Sequence, residues 1–103
     1  MSNTKNQFDI KCNIVRIEGI RKISDNLSIQ TIVVGVGDGN RVHSIAAEFY
    51  NGTIYSLPDN LKPGDTIDLT FKLSGQDRPK KGGAEGELMN FTRIEGLNIS
   101  KYK

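Results

Sequence analysis

Cationic side chains are concentrated in two short segments of this sequence. Arg21-Lys22 forms the first, and Arg78-Pro79-Lys80-Lys81 forms the second. Together they hold five of the fourteen Lys and Arg residues, and clustered cations of this kind can neutralise phosphates. The alternative is a solvated loop, because three carboxylates surround the second segment: Asp77, Glu85 and Glu87.

An exposed aromatic ring near such cations could stack on a nucleic-acid base. Phe49 and Tyr50 are adjacent, so on a strand one side chain points inward and the other outward. Ile45 and Ala47 share the phase of Phe49. This pattern favours Tyr50 as the surface ring.

The other aromatic residues divide between packing and exposure. Phe8 and Phe71 share the apolar phases of their strands, so we expect both in the core. Tyr55 lies off the apolar face of a short predicted helix, so we expect it to be exposed. Phe91 and Arg93 share one phase of the last strand, and the sequence does not decide which side that phase faces. For each ring, packing is an alternative to base stacking.

The sequence contains no set of residues that is typical of catalysis, metal binding or cofactor binding. His43 is the only histidine, and Cys12, the only cysteine, lies in the apolar phase of a strand. Metal sites need several such ligands at suitable spacing. The glycines of Gly35-Val36-Gly37-Asp38-Gly39 lie between two strands, which indicates a hairpin turn rather than a dinucleotide site. We therefore predict a protein that is not an enzyme and needs no cofactor.

The chain of 103 residues is long enough for one domain. We assign residues 1–7 to a flexible N-terminal tail and residues 8–103 to the domain. The net charge of +2 is too small to attract polyanions to the whole molecule, so any such affinity must be local. The single cysteine and the polar N-terminal residues predict a cytoplasmic protein, and no apolar stretch is long enough for a membrane span.

The first half of the chain predicts three strands. Apolar and polar residues alternate from Phe8 to Ile14, and the phase shifts at Val15, which indicates a bulge or a bend. A connecting loop follows at 19–28, with Arg21 and Lys22 in it. The second and third strands are predicted at 29–36 and 41–50, joined by a glycine-rich turn.

The second half predicts a short helix and two strands. Ile54, Leu57 and Leu61 have the spacing of one helix face, although Pro58 limits the helix to a turn or two. A clear alternation over 66–73 indicates the fourth strand, with Lys72 outward. The stretch 74–87 has four glycines and no large apolar residue, so we expect a long mobile loop. The fifth strand is predicted at 88–102, with a bend near Gly96.

Three strands, a short helix and two further strands fit three architectures, which include a five-stranded sandwich fragment and an SH3-like barrel, but the helix between strands three and four favours one of them. It is the all-β, five-stranded Greek-key barrel of the oligonucleotide/oligosaccharide-binding (OB) fold, with its short helix between strands three and four. Such barrels bind ligands on strands two and three and with the loops after strands one and four.

Two segments carry a resemblance to a family with this fold. Ala47-Glu48-Phe49-Tyr50 and the stretch from Leu61 to Leu69, which includes Lys62-Pro63-Gly64-Asp65, resemble the middle of bacterial and phage single-stranded DNA-binding proteins. The similarity of motifs covers Ala47 to Leu73. The chain resembles a divergent member, because it has no Trp and no acidic tail.

The barrel, the cations in its loops and the resemblance together predict a sequence-tolerant protein that binds single-stranded DNA, or RNA, and acts in replication, recombination or repair. The short track that one small barrel offers to a strand predicts a dimer or larger homo-oligomer. The main alternative is an OB-fold module that binds proteins and no nucleic acid, and an oligosaccharide or small-ligand binder ranks third. Nine residues are predicted to contact the nucleic acid: Arg21, Lys22, Tyr50, Tyr55, Lys72, Arg78, Lys80, Lys81 and Arg93.

Overall fold

The computed structural model describes residues 6–79, 82 and 86–101, which form six strands and one turn of helix. The helix buries one of its four side chains, that of Ile54. In chain order the elements are β1 (Phe8–Ile17), β2 (Arg21–Ser24), β3 (Leu27–Asp38), β4 (Arg41–Tyr50), α1 (Gly52–Tyr55), β5 (Thr66–Pro79) and β6 (Leu88–Lys101).

Five of the strands close into a barrel in the order β1, β5, β6, β4, β3, because β1 also pairs with β3. The pairing of β4 with β6 is parallel and the others are antiparallel. A parallel neighbour needs a crossover connection, which α1 and β5 supply here. This is the strand order of an OB-fold barrel, so the predicted fold class is confirmed.

Alternating side chains from all the barrel strands fill the interior. Phe49, Ile32, Ile67, Leu69 and Val34 are its largest fully buried side chains. Val15 is the extra residue of a bulge, since Ile14 pairs with Val34 and Arg16 pairs with Val33. The predicted shift of phase at Val15 is therefore confirmed, and it lets β1 turn from β5 toward β3.

The Lys62-Pro63-Gly64-Asp65 turn docks on β1. Gly64 takes a φ of 93° and donates from its N–H to the Ile14 carbonyl at 2.8 Å, and the Ile14 N–H donates to the Asp65 carbonyl at 2.9 Å. The Asp65 carboxylate accepts from the Lys62 N–H at 3.0 Å and pairs with Lys101 at 3.3 Å. The turn thus fixes the start of β5 against β1.

Two predicted loops contain strands. Arg21–Ser24 pairs with the start of β3 as the short strand β2, so the loop prediction for 19–28 is wrong there. The loop prediction for 74–87 is wrong for its first six residues, because β5 continues to Pro79 and pairs with β6 from Leu88. We call this paired extension the arm: residues 74–79 of β5 with residues 88–93 of β6.

The arm has no buried side chains because both of its faces are in solvent. Its main-chain groups bond across the two strands, so it needs no apolar residues to satisfy them. Asn90 also donates to the Asp77 carboxylate at 2.7 Å across the ribbon. The remainder of the predicted loop, with Lys80 and Lys81, lies outside the described residues, except Gly82, Gly86 and Glu87.

Phe8 and the predicted helix also differ from expectation. Phe8 is 44% exposed rather than buried, because it lies at the end of the barrel, where its ring packs 5.5 Å from the half-buried ring of Phe71. The helix is one turn long and only Ile54 of its apolar positions is fully buried, while Leu57 and Leu61 pack partly buried beyond it. Asn6, in the predicted tail, accepts from the Leu73 N–H at 3.0 Å.

Candidate nucleic-acid interface

The candidate site lies on the outer face of the barrel, which we define by the outward residues of β2, β3, β4 and β6 and by those of β5 from Lys72 onward. Ile29 of β3 pairs with Arg21 on one side and with Tyr50 on the other. Directly paired residues share a face, so these three side chains form one row across three strands. The row measures roughly 10 Å at ordinary strand spacing.

Tyr50 connects this row with β6. Its hydroxyl donates to Glu48 Oε1 at 3.0 Å and accepts from Arg93 Nη1 at 3.4 Å. Arg93 Nε lies 3.8 Å from the same Glu48 oxygen. The three side chains meet because β4 and β6 run parallel, with Glu48 opposite Glu95.

The charges in this network act on the pKa values of its members. Partial desolvation raises the pKa of Tyr50, and the nearby Glu48 carboxylate adds to this effect. Arg93 acts in the opposite direction, but the pKa remains above its usual value. The hydrogen bond to Tyr50 and the nearby Glu48 carboxylate raise the pKa of Arg93. At neutral pH the site therefore presents a protonated phenol and a guanidinium.

The arm continues the outer face beyond the barrel. Its register places Ser74 opposite Arg93, Gln76 opposite Phe91, and Arg78 opposite Met89, all on the face of Arg93. A groove of about 210 Å³ runs along this side, and its lining residues are Ser74, Gly75, Gln76, Arg78, Phe91 and Arg93. The groove combines two guanidinium groups with one aromatic ring.

Phe91 and Arg78 are in contact within this groove. The Arg78 guanidinium carbon lies 5.7 Å from the centre of the Phe91 ring, and Arg78 Nη2 donates to Gln76 Oε1 at 3.3 Å. Phe91 is 45% exposed. An exposed ring beside a guanidinium can stack on a base while the cation neutralises the adjacent phosphate.

Lys72 lies where the arm joins the barrel. It is opposite Glu95 in the β5–β6 register, and its ammonium group is 2.9 Å from the Glu95 carboxylate. This cation is therefore paired on the same outer face that carries Arg93.

Of the nine predicted residues, the structure brings five to one outer face: Arg21, Tyr50, Lys72, Arg78 and Arg93. Lys22 pairs with Ser28 and so points to the opposite side of the β2–β3 ribbon. Tyr55 is 73% exposed, as predicted, but lies on α1, a different element from this face. Lys80 and Lys81 are outside the described residues.

Phe91 is the residue that the sequence prediction omitted from the site. The sequence shows that Phe91 and Arg93 share one phase of the strand. Which side of the ribbon that phase faces depends on the β5–β6 register, which the sequence does not show. The acidic partners Glu48 and Glu95 were omitted for the same reason, since the parallel pairing of β4 and β6 joins residues far apart in sequence.

Cys12 and His43 lie in different environments. Burial, with a smaller contribution from Asp68, raises the pKa of the Cys12 thiol to about 11, so it stays protonated at neutral pH. His43 is exposed on β4. Within the described part of the chain there is no group of three or more His, Cys, Asp or Glu residues that could hold a metal ion. Nor does that part include a helix of the length and apolarity needed to cross a membrane.

Comparison with known proteins gives a structural match. No model of a known protein family matches the chain, and no curated protein matches it in sequence. Among solved structures, it is similar to the mitochondrial single-stranded DNA-binding protein Rim1 from S. cerevisiae, with a TM-score of 0.67 and 11% identity over 94% of each chain. An identity this low shows the fold alone. The chain is thus a five-stranded barrel of the OB fold.

Proposed function

We propose that this protein binds single-stranded DNA without strong sequence preference. The observation that carries the proposal is the outer face, on which Tyr50, Arg93, Phe91 and Arg78 follow one another from β4 along the arm. Guanidinium groups alternate with rings there, the pattern expected of a surface that neutralises phosphates and stacks bases. The similar fold of a protein named for single-stranded DNA binding supports the same function.

The track extends along the arm as well as across the barrel. From Arg93 to Met89 it adds roughly 13 Å at the rise of an extended strand. The contacts along it are to ring faces and phosphates, which every nucleotide offers, so the affinity should vary little with sequence. We propose a role in DNA replication, recombination or repair for such a protein, within the cytoplasm.

We also propose that the protein acts as a dimer or larger homo-oligomer. One barrel of this size offers a single strand only a short track, and joining copies lengthens it. Light scattering at tens of micromolar should give a mass of at least two chains. A monomer mass at that concentration would contradict the assembly without affecting the binding proposal.

The binding proposal is tested by the anisotropy of labelled oligonucleotides. We expect tighter binding to an oligothymidylate than to a duplex of the same length, and an affinity that falls steeply as salt increases. A single-stranded RNA of the same length shows whether binding is restricted to DNA. If the folded protein binds no oligonucleotide even at low salt, the alternative of a protein-interaction module is favoured.

A further inference from the structure

We propose that Glu48 limits the affinity of the outer face for nucleic acid by occupying Arg93 and Tyr50 in the free protein. The inference rests on the proposed function and assigns a role to an acidic residue within the same surface. One carboxylate oxygen of Glu48 accepts the Tyr50 hydroxyl at 3.0 Å and lies 3.8 Å from Arg93 Nε. A phosphate oxygen would use the same two donors.

The burial of the pair favours this assignment over an incidental surface contact. The Glu48 side chain is 24% exposed, whereas that of Arg93 is 57% exposed. The more buried carboxylate is held by its contacts with Tyr50 and Arg93, while the guanidinium remains open to a ligand. Arg93 is therefore accessible to a phosphate, but its charge is already compensated.

A second ion pair lies beside the first. Glu95 is opposite Glu48 in the parallel β4–β6 register and pairs with Lys72 at 2.9 Å. The two cations and two carboxylates cancel, so the junction of barrel and arm is locally neutral.

Arg78, at the other end of the groove, differs from Arg93. Among the described residues its guanidinium contacts neutral groups, the Gln76 side chain and the Phe91 ring. The groove thus has one cation with neutral partners, Arg78, at its far end. Its other cation, Arg93 beside the barrel, has the Glu48 carboxylate as a partner. Removing the carboxylate should make Arg93 behave like Arg78.

The test is Glu48→Gln, which keeps the size of the side chain and an acceptor for Tyr50 but removes the charge. We expect about 3- to 10-fold tighter binding to an oligothymidylate at low salt. One further effective phosphate contact should make the slope of log K against log salt more negative by about 0.7. Glu95→Gln should also tighten binding, because it removes the carboxylate that pairs with Lys72. It replaces Glu48→Gln as the test if that variant does not fold.

Two controls separate this role from net charge and from structure. Asp59→Asn makes the same charge change in the exposed turn after α1 and should alter affinity less than twofold. In an Arg93→Ala background, Glu48→Gln should give no gain. Equal gains from Asp59→Asn, a gain that persists without Arg93, or unchanged or weaker binding by folded Glu48→Gln would each overturn the inference. If Glu48→Gln does not fold, unchanged or weaker binding by folded Glu95→Gln would overturn it.

Failure of the proposed function gives a different result. If the folded wild type, Glu48→Gln and Glu95→Gln all fail to bind at low salt, the function itself is refuted, and the inference with it. If the wild type binds and folded Glu48→Gln does not bind more tightly, only the role of Glu48 is refuted.

Discussion

At Gly96 the missing side chain lets Phe49 fill the barrel. A Cβ atom placed there would lie 2.3 Å from carbons of the Phe49 ring, far inside contact distance. Leu97, the next residue, is the extra residue of a β6 bulge, since Thr70 pairs with Asn98 and Phe71 pairs with Gly96. The bulge lies where the sequence predicted a bend in the fifth strand.

Gly96→Ala should therefore destabilise the protein by about 1–3 kcal/mol or more, because the ring has no free volume to move into. Urea denaturation measures the loss. Gly37→Ala is the matched control, since nothing lies within 4 Å of a Cβ at that position. Equal stability of the two variants would show that Phe49 does not depend on Gly96.

Asp65 gives the fold a dependence on pH. Partial desolvation acts to raise its pKa, but the hydrogen bond from Lys62 and the ammonium group of Lys101 lower it below the usual 3.8. The ionised form is thus favoured by folding. The resulting stabilisation is fully present above pH 3.8 and is lost as the pH falls through the lower pKa of the folded state.

Asp65→Asn should consequently be less stable than the wild type at pH 7, and the difference should narrow as the pH falls below about 4. Urea denaturation across this range measures it. Asp59→Asn, in the exposed turn after α1, should show a smaller difference at pH 7. A difference for Asp65→Asn that stays constant down to pH 2 would contradict the pairing with Lys101.

Substitutions in the arm can change binding without changing the stability of the barrel, because the arm has no buried side chains. Isolated two-stranded ribbons are only marginally stable in water, so the arm depends on the barrel that holds its base. Phe91 is on the groove side of the ribbon, and Leu88 is on the opposite side, opposite Pro79. Both side chains are largely exposed, at 45% and 60%.

Phe91→Ala should weaken binding to every single-stranded oligonucleotide by about 1–3 kcal/mol, the usual contribution of a stacked ring. The melting temperature should change little, because no buried contact is lost. Leu88→Ala removes apolar surface from the other side and should leave the affinity unchanged. Equal loss of affinity in both variants would mean that the groove is not the binding surface.

The sequence predicted the elements whose side chains alternate between core and solvent. Ile67 and Leu69 have this pattern, and so does the segment from Phe8 to the bulge at Val15. The arm has no such pattern because both of its faces are in solvent, and β2 is too short to show one. Phe8 was misplaced because alternation gives the side of the sheet and not the distance to the end of the barrel.

For the site, sequence identified single residues but not their neighbours. Tyr50 could be assigned to the surface from the phase of Phe49. Its contact with Arg93 depends on the parallel pairing of β4 with β6, which local periodicity does not specify. The same pairing brings Glu48 to Arg93, so the sequence alone could not show that a carboxylate balances the charge of Arg93.

For the whole molecule, the arrangement of charge matters more than its amount. The net charge is +2, so long-range attraction of a polyanion is weak. Binding must come from the local sequence of cations and rings on the outer face. Removing cations from this face should therefore have a larger effect than removing the same charge elsewhere.

The most direct test of that claim compares two double variants with the same change in charge. Arg78→Ala/Arg93→Ala removes two cations from the outer face. Lys11→Ala/Lys62→Ala removes two exposed cations from β1 and from the turn before β5. Anisotropy of a labelled oligothymidylate is measured for both variants and the wild type between about 50 and 200 mM salt.

We expect Arg78→Ala/Arg93→Ala to bind at least about tenfold more weakly than the wild type. Its salt slope should be shallower by between about 0.7 and 1.4, because Arg78 is lost as a full phosphate contact and Arg93 as a partly compensated one. Lys11→Ala/Lys62→Ala should stay close to the wild type in both affinity and slope. Equal losses in the two folded variants would show that net charge alone governs binding and would contradict a site on the outer face.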